Sequence, residues 1–139
     1  MVIKTRSAKE TIQLGDRIGK SLKPNDVVAL TGDLGAGKTT LIQGIAKGMG
    51  IKNWVTSPTF TIINEFKGRL DLFHVDLYRI EGLDEIEDIA LEEYFHKDGV
   101  TVIEWAEKAG GILPASRINI KIDFESENAR KITIKGIEL

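Results

Sequence analysis

The 139 residues are 42% hydrophobic and 29% charged and contain no cysteine, which suits one domain, residues 1–139, and excludes disulfides, thiolate nucleophiles and cysteine-held metals. A net charge of −2 at pH 7 lacks the basic excess with which a protein grips a long polyanion unaided. No segment nears the roughly 18 apolar residues of a membrane span, and residues 1–6 show no apolar signal-peptide stretch, so a cytoplasmic location without a membrane partner is expected.

In chain order, a short strand is expected around residues 2–4. Ser7 and Glu10 then form a Ser-x-x-Glu capping box, followed by Ala8, Ile12, Gly15, Ile18 or Gly19, and Leu22 at helical spacing. Lys23-Pro24-Asn25-Asp26 breaks that helix. Val27-Val28-Ala29-Leu30 is wholly apolar, as a buried parallel strand is. A glycine-rich loop follows at once, and residues 40–49 read as a helix ending at Gly48 or Gly50. Residues 60–66 and 72–79 read as strands joined through Lys67-Gly68-Arg69. Asp84, with Glu87 three residues on, opens a helix to about Phe95. Val100-Thr101-Val102-Ile103 is a second buried run. Ile118, Ile120, Ile122 and Phe124 alternate with polar residues, as do Ile132 and Ile134, giving two late strands with a turn near Glu127-Asn128. Alternating strands and helices predict an α/β fold, a mixed and largely parallel sheet with appended antiparallel hairpins.

The loop carries the chemistry. Gly32-Asp33-Leu34-Gly35-Ala36-Gly37-Lys38-Thr39 matches G-x-x-x-x-G-K-[ST] at every fixed position. The glycines let the backbone curl so that its N–H groups face phosphate oxygens. Lys38 reaches the β- and γ-phosphates, Thr39 is placed to ligate Mg²⁺, and the following helix, continuing through Thr40, aims its positive end at the triphosphate. Such a pattern arises by accident in roughly half a percent of chains this long, and a preceding strand and following helix lower that further. Mg²⁺-ATP is therefore the expected ligand.

Such a loop needs an acidic partner at the end of a neighbouring strand. Asp76 qualifies, on the strand face it shares with His74 and Tyr78, while Phe73, Val75 and Leu77 take the other. Glu104, where the second buried run ends, qualifies too. The pattern leaves open which ligates the metal and which positions water. Ser57-Pro58-Thr59-Phe60 is a rigid turn before a strand, where Thr59 is placed to sense the γ-phosphate. His96, Trp54, Trp105 and Arg79 read as solvated or packing residues.

Together GDLGAGKTT (32–40), SPTF (57–60), HVDLYR (74–79) and EWAEKAGGILP (104–114) closely resemble the TsaE family, bacterial ATPases of tRNA threonylcarbamoyladenosine biosynthesis, over residues 7–125. The resemblance implies a compact P-loop fold with Thr39 and Glu104 on Mg²⁺. It also implies Asp76 as the catalytic or water-positioning carboxylate beside the metal, and Thr59 in a switch. It implies ATP hydrolysis that keeps a TsaD–TsaB transferase turning over, with tRNA met only through that complex. It further implies adenine near Ala8 and Glu127-Asn128. Where many family members have proline after Glu-Trp, this chain has Ala106, outside the implied metal shell. A small-molecule kinase shares the loop, but no compact arginine cluster for a lid is present. A GTP-driven switch would carry Asn-Lys-x-Asp, which is absent. A module in which ATP only sets conformation is the third alternative.

Overall fold

The two apolar runs become the centre of one sheet, as strands buried on both faces must. The computed structural model, which describes residues 1–33, 35–53, 55 and 62–139, contains seven strands. They are β1 (Val2–Thr5), β2 (Val27–Thr31), β3 (Ile63–Phe66), β4 (Leu72–Asp76), β5 (Val100–Glu104), β6 (Ile118–Phe124) and β7 (Arg130–Lys135). Their order is β1-β7-β6-β2-β5-β4-β3. β2 runs parallel to β5 and β6, and β4 parallel to β5. β3, β7 and β1 add antiparallel flanks, so the expected α/β architecture holds.

Helices α1 (Ala8–Ser21) and α2 (Lys38–Gly48) cover one face of the sheet. Their Leu14, Ile18, Leu41, Ile42 and Ile45 pack on Val28, Leu30, Val102, Ile120, Ile122, Ile132 and Ile134. The other face is covered by α3 (Leu83–Asp88), α4 (Leu91–Tyr94) and a 3₁₀ segment, Ala106–Ile112. These close over Val27, Ala29, Val75, Leu77 and Ile103. The α1 start is capped as expected, with Ser7 Oγ accepting the Glu10 N–H at 3.1 Å. The reciprocal bond lands one residue early, the Glu10 carboxylate accepting from the Arg6 N–H at 3.0 Å.

α1 and α2 meet backbone to backbone. A Cβ added at Gly15 would lie 2.8 Å from the Gly44 Cα, and one at Gly19 would lie 3.0 Å from the Gly48 Cα. Glycine is the residue such an approach demands.

Three boundaries differ from the sequence reading. The helix expected over 84–95 breaks at Ala90, which adopts a left-handed conformation (φ 52). In one continuous helix Ile86 and Leu91 would lie about 140° apart; the break buries both in the same cluster. β4 stops at Asp76 rather than running to Arg79, because the chain turns there and Asp76 Oδ1 accepts the Tyr78 N–H at 3.0 Å. α2 begins at Lys38 rather than Thr40. β3 is described from Ile63, and residues 60–61 of the expected strand lie outside the described residues. None of the described helices is long and apolar enough to cross a membrane.

Candidate functional site

The parallel strands β2, β4 and β5 all end at one edge of the sheet, the edge where open α/β sheets bind ligands. β2 runs straight into the glycine-rich loop, and α2 starts from it. Gly35 (φ 80) and Gly37 (φ 102) adopt conformations that side chains disfavour, which is why glycines occupy them. Gly37 is the N-cap of α2, and among the described residues no side chain caps this helix start. A helix N-terminus without a side-chain cap presents backbone donors and a partial positive charge to an anion. Gly32, Asp33, Gly35, Ala36 and Gly37 thus form the loop, with Lys38, Thr39 and Thr40 opening the helix. Leu34 lies outside the described residues.

Lys38 is buried. Its ammonium donates to the Gly32 carbonyl and sits 3.6 Å from the centroid of the Trp105 ring. Burial holds its pKa below the ordinary lysine value, opposed by the carboxylates of Glu104, Glu107, Asp76 and Asp33. Lys38 is therefore a desolvated cation facing several carboxylates, in an environment that rewards any further anion brought against it.

Asp76 and Glu104 are paired in register across the parallel β4–β5 ladder. Desolvation raises the Asp76 pKa above the usual carboxylate value, and the Tyr78 N–H works against that. Glu104 is buried, and its Oε2 lies 2.7 Å from His74 Nε2, itself fully buried. With Glu104 ionised, Nε2 is the donor, and among the described residues His74 Nδ1 has no hydrogen-bond partner. The bond fixes one oxygen of the carboxylate and so fixes the direction of the other. Immediately after Glu104, Trp105 takes a left-handed conformation (φ 58), a strained state of the kind that clusters at functional sites. That turn lays its ring against Tyr78, 5.2 Å between centroids, and over Lys38.

On the other side of the loop, the β6–β7 turn reaches the same edge because β6 is parallel to β2. Ala8, Glu127 and Asn128, expected near adenine, line one cleft of about 120 Å³ with Ser7, Thr11, Gly37, Thr40 and Arg130. A hollow of about 370 Å³ lies at the opposite end of the sheet, beside Val27 and Ile118 where β2 and β6 begin, remote from the loop.

The structure thus gathers the loop, Lys38, Asp76 and Glu104 on one side, and the Ala8/Glu127/Asn128 cleft on the other. Thr59, with the rest of Ser57–Phe60, and Trp54 lie outside the described residues. Arg79 and His96 are exposed, whereas Trp105, expected only to pack, lies over the loop lysine. Two residues escaped the sequence reading. His74 stood as a strand-face neighbour of Asp76 and as the first residue of HVDLYR, without a role of its own, and its bond to Glu104 spans two strands. Arg130 belongs to no motif, yet its Nε donates to the Ala36 carbonyl at 2.7 Å; a basic residue just after the predicted turn was the sole signal.

The family model described as "Threonylcarbamoyl adenosine biosynthesis protein TsaE" matches residues 5–132. The tRNA threonylcarbamoyladenosine biosynthesis protein TsaE of Bacillus subtilis is 45% identical over 135 residues, covering 96% of this chain and 84% of that protein. The protein of the same name from Treponema pallidum is 40% identical, covering 94% and 96%. The crystal structure of Bacillus subtilis YdiB superposes with a TM-score of 0.78 at 40% identity, covering 96% of this chain and 83% of that one.

Proposed function

The chain belongs to the TsaE family, and from that premise we propose that it is a Mg²⁺-dependent ATPase serving tRNA threonylcarbamoyladenosine formation, with hydrolysis driving turnover of a TsaD–TsaB type transferase. The observation that carries this reading is the buried Lys38 between a phosphate-type loop and the register-paired carboxylates Asp76 and Glu104. That arrangement supplies backbone donors and a cation for phosphates, and oxygen ligands for a hard divalent ion. Magnesium is usually held by one or two carboxylates together with substrate phosphates, and the all-oxygen set of Thr39, Glu104 and Asp76 fits it. When bound, the ion neutralises charge developing on the transferring phosphoryl group.

In this reading Lys38 exchanges the Gly32 carbonyl for phosphate oxygens, and the donors at the start of α2 hold the triphosphate in place. Thr39 and Glu104 hold the ion, with His74 keeping the Glu104 carboxylate turned. Asp76, partly buried, orients water for attack, and Thr59 senses the γ-phosphate. The nucleoside lies in the cleft between Ala8 and Glu127-Asn128. Any tRNA is held by the transferase, in keeping with the modest net charge of −2.

Steady-state ATP hydrolysis, measured with TsaD and TsaB type proteins omitted in turn, tests the proposal. Slow turnover alone and stimulation by the pair are expected, since groups supplied in trans raise P-loop rates by about 10³ to 10⁵. An identical rate with and without the pair, in protein shown to bind ATP, overturns the partner-driven reading. A phosphorylated metabolite among the products would favour a kinase instead.

A further inference from the structure

Arg130 opens β7, 94 positions from the loop residue it holds. Its Nε donates to the Ala36 carbonyl at 2.7 Å. Its Nη1 donates to the Ser126 and Ala129 carbonyls at 2.8 and 2.9 Å, with a longer contact of 3.4 Å to that of Glu127. The guanidinium also sits 4.7 Å from the centroid of the Phe124 ring. A group held at one end by a turn and a ring, with its other end on the loop, is a rigid strut. Among the described residues its Nε and Nη1 donors end on backbone carbonyls, so this side of the guanidinium is committed to the protein's own chain.

The peptide that Arg130 grips is the one that matters for an anion. The Ala36 carbonyl and the Gly37 N–H belong to one trans peptide unit, in which C=O and N–H point in opposite directions. Holding the carbonyl against the guanidinium makes the Gly37 N–H point away from it. Gly37 itself (φ 102) has the backbone freedom that lets such a peptide turn over cheaply. Without a donor on the Ala36 carbonyl, that restraint on the flip is lost.

We propose that Arg130 is a positioning residue for the phosphate loop: it locks the 36–37 peptide so that the loop meets a polyphosphate already organised. This rests on the reading of the loop as a phosphate site. It makes the 126–129 turn a support of the phosphate half of the site as well as a wall of the neighbouring cleft. An Arg130→Met variant keeps the packing stem and loses the strut. Arg130→Lys keeps the charge but offers a point donor that cannot bridge loop and turn together.

Calorimetric titration of both variants and the wild type with Mg²⁺-ATP and with Mg²⁺-tripolyphosphate separates loop from nucleoside. Loss of one charge-assisted hydrogen bond weakens binding about tenfold or more. Arg130→Met is expected to weaken tripolyphosphate, and ATP by at least the same factor since Arg130 also lines the nucleoside cleft, with Arg130→Lys between it and the wild type. In unliganded protein, amide exchange over residues 35–39 is expected to quicken in Arg130→Met while that of α1 stays unchanged. Weakened ATP binding with unaltered tripolyphosphate binding would assign Arg130 to the nucleoside and overturn the proposal. Unaltered loop exchange would overturn it equally. Should Arg130→Met melt below the assay temperature, the lysine variant decides: wild-type exchange and affinity there refute the strut. A wild type that binds neither compound refutes the nucleotide reading itself, and loop exchange then judges Arg130 alone.

Discussion

Replacing Gly44 with alanine tests whether the two helices that frame the site depend on contact without side chains between them. Alanine in a helix interior is intrinsically favoured over glycine by about 1 kcal/mol. Against that, the new methyl would lie 2.9 Å from the Gly15 Cα and 3.0 Å from the Ile12 carbonyl carbon, and would press on the Ile12 carbonyl oxygen. Carbon atoms rest roughly 3.5–4.0 Å apart, so α1 and α2 must part by about 0.5–1 Å. Overpacking costs about 1–3 kcal/mol, and backbone yields less than a side chain, which places this substitution at or above the upper end. The net is a loss of about 2 kcal/mol or more. At about 2.1 cal/mol/K per residue, a chain of this length unfolds with an entropy of about 0.29 kcal/mol/K, so Tm falls by about 7 °C or more. Thermal melts beside Gly111→Ala, where an added Cβ meets no described residue within 4 Å, provide the comparison. A Gly44→Ala protein melting at or above the wild type refutes the argument. Because α1 and α2 both begin at the cleft, ATP should also protect this variant less.

Lys38→Met should lower ATP hydrolysis by about 100-fold or more without loss of cooperative melting. Its pH profile should change too: the folded-state pKa of Lys38 is lowered, so the wild type gains stability as pH rises from that value towards 10.5, and denaturant titrations of the methionine variant should lack that gain. Asp76→Asn should bind Mg²⁺-ATP yet fail to turn it over. The raised Asp76 pKa favours folding below pH 3.8 and loses that contribution as pH rises through the folded-state value, so the asparagine variant should lose less stability between acid and neutral pH. Glu104→Gln should weaken nucleotide binding chiefly at low Mg²⁺, read from titrations at several Mg²⁺ concentrations; if Asp76→Asn gave that pattern and Glu104→Gln did not, the two roles are exchanged.

What sequence revealed here was local. The loop announces itself in eight consecutive residues, and the strands at 27–30 and 100–103 announce themselves by unbroken apolar runs. Asp76 and Glu104 were found because each ends a strand, though only the parallel register shows them to be neighbours. The break at Ala90 was hidden because the acidic stretch around it suits a solvated helix, and the need to bury Leu91 beside Ile86 arises only in tertiary packing. Arg130 was hidden for a similar reason: its partner is 94 residues away, and an arginine at a strand start has many ordinary uses. His74 alternates correctly with Asp76, yet alternation names a face and never the atom across the sheet.

The pairing of Asp76 with Glu104 has a consequence for how this site tolerates change in length. Side chains alternate along a strand, so a one-residue slip of β4 sends every residue on it to the opposite face. Deletion of Leu72 or Phe73, with the start of the strand held, would withdraw Asp76 and His74 together, breaking the bond to Glu104 while leaving every acidic residue in the chain. In a library of variants, substitutions along β4 should therefore spare function more often than single-residue insertions or deletions there. Length changes in the 67–71 connection should be absorbed before they reach the strand.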